Sequence, residues 1–299
     1  MKIKNPFGII KRHLRKTVQI AFTALSNGYV AGFAKGGIYQ GKLKKICVPG
    51  LNCYSCPGAL GSCPIGSLQA VLSSPQHRFS AYMTGFFLVV GALLGRFVCG
   101  WLCPFGLLQE LLYKIPFFKK RKNLPGHKIL KYLKYVILVL FVILLPMLIA
   151  DALGQGDPWF CKWICPVGTL EGGVFLSLIN PGIRSALGPL FLFKGAILVT
   201  IIMLSLYVYR PFCKYLCPLG GIYGFFNRIS AYRLCVDEKK CIHCGICERE
   251  CPMSVHVPEK PNDMECIRCG KCKQGCPKGA IEMGFFCKGL EKEESGHDK

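Results

Sequence analysis

The sequence predicts an α-helical integral membrane protein, about four transmembrane helices in two pseudo-repeats, followed by a compact cysteine-rich C-terminal module. Three observations carry this. Hydrophobic residues make up 52% of the 299, with a mean hydropathy of +0.37, too apolar for an ordinary soluble chain. The apolar residues gather into runs long enough, or nearly so, to cross a hydrocarbon core. The 20 cysteines fall in repeated sets at the ends of those runs and in two matching blocks near the C-terminus.

The first run, TVQIAFTALSNGYVAGFA (17–34), follows the basic KRHLRK and carries Gln19, Ser26 and Asn27. It reads as a weak span. A cleaved signal peptide is the rival, but no A-x-A cleavage site follows. The other runs are FSAYMTGFFLVVGALLGRFV (79–98), ILKYLKYVILVLFVILLPMLIA (129–150) and PLFLFKGAILVTIIMLSLYV (189–208). Lys and Arg are dense before residue 17, in the KKRK loop (119–122) and beyond 208, and sparse over 151–194. The positive-inside rule therefore places both termini in the cytoplasm of a multi-pass plasma-membrane protein, with segments 35–78 and 151–192 outside. Lys35, Lys42, Lys44 and Lys45 run against that placement.

The formal net charge is +22. Its cations crowd beside the spans rather than forming a stripe interleaved with aromatics, so membrane topology explains them and nucleic acid is not an expected partner. Cluster-bound thiolates would cancel part of the charge.

The C-terminal blocks read CIHCGICEREC from Cys241, followed by Pro252, and CIRCGKCKQGC from Cys266, followed by Pro277. Each is C-x2-C-x2-C-x3-C-P, the bacterial-type spacing for a double 4Fe-4S ferredoxin module, in which the fourth cysteine of each run serves the other cluster. Cys241, Cys244, Cys247 and Cys276 are assigned to one 4Fe-4S cluster, and Cys266, Cys269, Cys272 and Cys251 to the second. Zinc is the competing use of C-x-x-C pairs, but two complete runs ending in Cys-Pro fit it poorly.

Four Cys-Pro-x-Gly elements lie in the membrane part: CPIG (63–66), CPFG (103–106), CPVG (165–168) and CPLG (217–220). The last three have a second cysteine four residues earlier, so Cys99 with Cys103, Cys161 with Cys165, and Cys213 with Cys217 present both sulfurs on one helical face. Proline after the cysteine suits a first helical turn, and the helix so started turns its positive end toward the thiol. The segments 50–116 and 156–230 read as a tandem repeat. Cys99, Cys103, Cys213 and Cys217 are expected to converge on the cytoplasmic side and hold a third 4Fe-4S cluster. A fourth, on the outer side, would use Cys161 and Cys165 with two of Cys53, Cys56 and Cys63. Cys56 and Cys63 are the first choice, since Ala59 stands where the repeat would put a cysteine. The bland alternative is disulfides or packing.

Cys47, Cys235 and Cys287 fit no set and read as structural or spare. The six histidines lie outside the clearest spans, which argues against a bis-histidine haem buried in the membrane. No G-x-G-x-x-G follows a predicted strand, no P-loop occurs, and no nucleophile and base stand out as a catalytic pair. The domain boundaries are 1–230 for the membrane part, 231–287 for the ferredoxin module and 288–299 for a disordered tail.

CGWLCP, CKYLCP and the two ferredoxin runs together resemble the polyferredoxin membrane subunits of periplasmic nitrate reductase systems and the C-terminal part of nitrous oxide reductase regulators. The resemblance covers about residues 79–285. It implies electron exchange between the ferredoxin-type module and the quinone pool, or an acceptor across the membrane, with a ferredoxin or reductase as cytoplasmic partner. The sequence departs from that pattern in its outer motifs, CYSCPGALGSCP and CKWICP, which points away from quinol oxidation for nitrate reduction. Two other readings stand beside the electron carrier: a redox-sensing or cofactor-assembly membrane protein, and a thiol-disulfide relay to exported proteins.

Overall fold

A computed structural model describes residues 6–74, 79–116, 119–149, 151 and 155–287, with side chains from residue 14 onward. The tail 288–299 lies outside the described residues.

Two helices, His127–Leu148 and Pro189–Tyr207, are long and apolar enough to cross a membrane, by length and composition. They coincide with the expected spans at 129–150 and 189–208. Only 22% and 17% of their most apolar windows is buried, and Ile129, Val136, Leu148, Leu192, Val199 and Met203 face outward. A soluble core helix would turn such side chains inward.

The other two expected spans differ from expectation. The run 79–98 forms a helix only over Ala81–Leu94, 14 residues, about 21 Å against a hydrocarbon core of about 30 Å. Ser80 caps its start by accepting the Met83 amide at 3.4 Å. Gly95, at φ 52°, ends it, and a Cβ there would stand 2.7 Å from Asn227 Oδ1, so only glycine permits the turn that leads into Arg96.

The run 17–34 is not one helix. Pro6–Ser26 stops, and Val30–Lys35 restarts after Asn27, Gly28 and Tyr29. The Tyr29 amide donates to Gly58 O at 3.1 Å, and a Cβ on Gly32 would overlap the Pro57 carbonyl. The chain turns there to pack on the Cys-Pro-Gly loop at 56–58. Of the polar residues that weakened this run as a span, Gln19 and Ser26 are buried, and Gln19 Nε2 donates to Cys103 O at 2.8 Å. Just before the run, Arg15 donates to Gly100 O at 2.9 Å and pairs with Glu110.

The C-terminal module is framed by two antiparallel strands, Tyr232–Val236 and Ile281–Phe285, with Val236 opposite Ile281. Between them lie two loop-helix units ending in Ile246–Glu250 and Lys271–Gly275, packed over Leu234, Met253, Val255, Val257 and Ile267. Cys235 and Cys287, unassigned by spacing, form a disulfide that ties the first strand to the residues after the second.

The module sits directly on the membrane part. Trp101 Nε1 donates to Arg268 O at 3.0 Å, Lys214 Nζ to Pro252 O at 3.1 Å, and Asn227 Nδ2 to Cys266 O at 2.7 Å. Gly100 permits the approach, since a Cβ there would overlap the Ile267 carbonyl oxygen.

Candidate metal centres

The two C-terminal runs fold alike. His243 and Arg268, each between the first two cysteines of its run, have φ of 49° and 50°, and Gly245 and Gly270 follow at 70° and 77°. These left-handed residues curl each loop around a hollow, a conformation a non-glycine residue adopts only when its surroundings hold it there. One cavity is lined by Cys241, Cys244, Cys247 and Cys276. The other is lined by Cys251, Cys266, Cys269 and Cys272. The crossing of the fourth cysteine into the opposite cage is thus present in the chain's own geometry. Among the described residues, no group of three or more His, Cys, Asp or Glu is close enough to hold a single metal ion. Each set is an open cage rather than a compact ion site.

In the membrane part the cysteines sit at helix starts. Cys63, Cys103 and Cys217 are the N-cap residues of Pro64–Leu72, Pro104–Lys114 and Pro218–Phe226. Proline at the first helical position costs no hydrogen bond there and keeps the preceding cysteine extended. The amide of the glycine three residues on turns back to the sulfur: Gly168 N donates to Cys165 Sγ at 3.4 Å, Gly220 N to Cys217 Sγ at 3.3 Å, and Gly66 and Gly106 do the same for Cys63 and Cys103. A helix start of this kind favours thiolate. The same proline means that Cys99 and Cys103 do not share one helix, because Phe97–Trp101 ends before Cys103. The pairs straddle a break, not a continuous helical face.

Cys99, Cys103, Cys213 and Cys217 are all buried. Burial raises the Cys103 thiol to about 12, with Cys213 and Cys99 adding to the rise, and the Cys217 thiol is raised by burial and the same two neighbours. Each therefore lies within electrostatic reach of the others. Burial also raises Cys99, but the Arg96 and Arg210 guanidiniums beside it pull the other way.

Cys53, Cys63, Cys161 and Cys165, the set expected on the outer side, line a cavity of about 520 Å³, walled also by Tyr54, Ser55, Ser67, Ser73 and Lys194. The structure brings Cys53 rather than Cys56 to this cavity. The Cys56 thiol instead donates to Asn27 Oδ1 at 3.5 Å.

One signal escaped the sequence reading. The residue six positions after each Cys-Pro cysteine, namely Gln69, Gln109, Glu171 or Tyr223, reaches into the other half of the chain. Gln69 Oε1 accepts the Phe160 amide at 3.0 Å, and Gln109 Oε1 accepts the Phe212 amide at 3.1 Å. Glu171 Oε2 accepts the Cys53 amide at 2.7 Å, and Tyr223 donates to Pro49 O at 3.1 Å. The repeated C-P-x-G-x-x-Q at 63–69 and 103–109 is visible in the sequence.

The sets adjoin one another. Arg96 spans Cys213 O at 3.1 Å and Glu265 at 2.9 Å, next to Cys266 of the second module cage. Leu51 lines the outer cavity while its amide faces the Cys103 sulfur. Tyr223, fully buried, lies within electrostatic reach of both Cys99 and Cys63.

The donor set fits iron-sulfur clusters. The sulfurs are soft ligands met by helix-start amides. Arg15, Lys44, Arg96, Lys134, Arg210, Lys214 and Arg268 are buried cations, whereas among the described residues the enclosed carboxylates are Glu110, Glu265 and, at the Cys53 amide, Glu171. Arg96 Nε and Arg210 Nε have no protein partner. Buried charge in that excess needs a negative counterpart, which thiolate-bound iron clusters supply.

Comparison with known proteins agrees. Residues 79–125, 135–184 and 190–234 match a family described as 4Fe-4S binding domain, and residues 240–281 match a 4Fe-4S dicluster domain. The chain is 35% identical over 214 residues to an uncharacterized protein of Methanocaldococcus jannaschii, covering 69% of this chain and 71% of the relative. It is 28% identical over 186 residues to the putative electron transport protein YccM of Escherichia coli, covering 60% of this chain and 48% of that one. It is also 28% identical over 205 residues to the ferredoxin-type protein NapH of Escherichia coli, covering 66% and 62%. No solved structure matches.

Proposed function

The chain belongs to the polyferredoxin-type family of 4Fe-4S binding proteins and is a ferredoxin-type iron-sulfur electron-transfer protein, and on that premise we propose that it carries electrons across a membrane. One end of the path is a redox partner docked at the module of residues 231–287. The other is the quinone pool, or an acceptor on the far side, reached at the outer cysteine set. Four cages hold four clusters: Cys241, Cys244, Cys247 and Cys276; Cys251, Cys266, Cys269 and Cys272; Cys99, Cys103, Cys213 and Cys217; and Cys53, Cys63, Cys161 and Cys165. When bound, 4Fe-4S clusters supply one-electron transfer.

The observation that carries this reading is the contiguity of the cages. Cys244 is exposed at the first, the second is largely covered, and Arg96, Leu51 and Tyr223 join the second, inner and outer sets in turn. The chain's own residues exclude water at the inner set, turn a glycine amide to each Cys-Pro sulfur and a glutamine amide to Cys161 and Cys213, and leave a cavity of about 520 Å³ among the outer cysteines. Cys53, Cys63, Cys161 and Cys165 share one cavity as unpaired thiols, the arrangement that ligation of one cluster requires.

Membrane placement rests on His127–Leu148 and Pro189–Tyr207; the four-span domain over residues 1–230 adds two shorter or broken crossings, Ala81–Leu94 and the pair Pro6–Ser26 and Val30–Lys35. Both termini then lie in the cytoplasm of a plasma-membrane protein.

The test is reconstitution of the full chain in liposomes with a quinol in the bilayer and an oxidised ferredoxin in the medium. Repeated turnover that Cys213→Ser abolishes supports the carrier. A single reduction without turnover supports a sensor or assembly role instead.

A further inference from the structure

Gln69 and Gln109 occupy the same place in the two halves of the sequence, and the structure gives them the same pair of bonds. Gln109 Nε2 donates to Cys213 Sγ at 3.2 Å while its Oε1 accepts the Phe212 amide at 3.1 Å. Gln69 Nε2 donates to Cys161 Sγ at 3.2 Å while its Oε1 accepts the Phe160 amide at 3.0 Å. Both glutamines are buried, at 1% and 0% exposure. Each carboxamide therefore grips a cysteine and the residue before it, from a helix on the opposite half of the chain.

The fork fixes the orientation of each amide. With Oε1 committed to a backbone N–H, which can only donate, the NH2 end must face the sulfur. The other two residues at the equivalent position, Glu171 and Tyr223, direct their bonds to backbone groups instead. Each membrane cage thus receives one side-chain amide hydrogen, always at the first cysteine of the C-terminal half.

We propose that Gln69 and Gln109 are positioning residues that raise the reduction potentials of the outer and inner centres by hydrogen-bonding the Cys161 and Cys213 thiolates. The inference rests on the reading that those cysteines are cluster ligands. Reduction adds negative charge to a cluster and its sulfurs, so a fixed N–H donor stabilises the reduced state more than the oxidised one. Because the same fork serves both cages, it raises both potentials in the same direction.

Gln109→Met separates this role from an electrostatic one, since the thioether is close to glutamine in size, adds no charge and has no hydrogen to donate to Cys213. In the anaerobically purified full chain, iron and sulfide per chain should match wild type, and an EPR-monitored redox titration should find one signal moved to lower potential and the others unmoved. Gln69→Met should move a different signal. Full iron content with every midpoint unmoved overturns the inference and leaves the four-cage reading intact. That reading fails separately, if Cys213→Ser loses no iron. Should a glutamine variant hold less iron, the wild-type chain decides, with its glutamine side-chain nitrogens isotope-labelled. Pulsed EPR of the reduced protein should detect a labelled nitrogen coupled to the spin, and absence of that coupling overturns the proposal.

Discussion

Arg96, three residues before Cys99, donates to the carbonyl of Cys213 at 3.1 Å. Arg210, three residues before Cys213, returns the bond to the carbonyl of Cys99. Each arginine is fully buried and anchors the cysteine of the opposite half, and each is held by a carboxylate, Glu265 for Arg96 and Glu110 for Arg210. The inner cage is therefore a joint between two halves of one chain, closed by an exchange of guanidiniums.

Removing Arg210 leaves Glu110 with Arg15 as its remaining cation. Arg210→Met should therefore lower stability by less than the roughly 3–5 kcal/mol of a fully uncompensated buried charge while releasing the inner centre. Arg210→Lys should rescue little, because an ammonium cannot span Cys99 O and Glu110 as the planar fork does. Denaturant unfolding with iron analysis of both variants checks this. A Lys variant with wild-type stability and iron would contradict it.

The outer cage separates Cys53 from Cys56. Cys53→Ser should lose about four irons per chain, and Cys56→Ser none, because only Cys53 lines the cavity and has its amide held by Glu171. Equal losses from both variants would return Cys56 to the ligand set.

Gly100→Ala places a methyl where the Ile267 carbonyl oxygen lies. Overpacking of this kind costs about 1–3 kcal/mol, and it acts at the seam between module and membrane part. Iron content should stay constant while the magnetic coupling between module and inner centres, read from EPR line shape on full reduction, weakens.

Glu110 gives a pH dependence. Burial alone would raise its carboxyl, but Arg210 and a hydrogen bond from Arg15 outweigh burial and hold it at about 2, below its ordinary 4.5. A carboxylate depressed in the folded state contributes stability above its unfolded value and loses it as pH falls through the folded one. Thermal stability should therefore drop between those two values, and the slope should flatten in Glu110→Gln.

The cysteine spacing made the module cages legible, because three ligands of each lie in one short loop and the fourth follows a fixed offset. The inner set was legible for a related reason: RFVCGWLCPFG and RPFCKYLCPLG repeat each other residue for residue at the chemistry-bearing positions. Cys53 was not distinguishable from Cys56, since the choice is made by Glu171, 118 positions away. The glutamines were missed because their offset from Cys-Pro has meaning only once the opposite half is in place. The run 17–34 misled for a different reason: apolar content alone does not reveal that Gln19 and Arg15 face a buried site while Gly32 packs on Pro57.

The central claim is that the membrane cysteines form cages equivalent to those of the module. Iron and acid-labile sulfide per chain, measured with quantitative EPR on protein purified without oxygen, test it most directly. Four cages predict about 16 iron atoms per chain. A value of about 8 would confine the centres to the module, and would contradict both the inner and the outer cage.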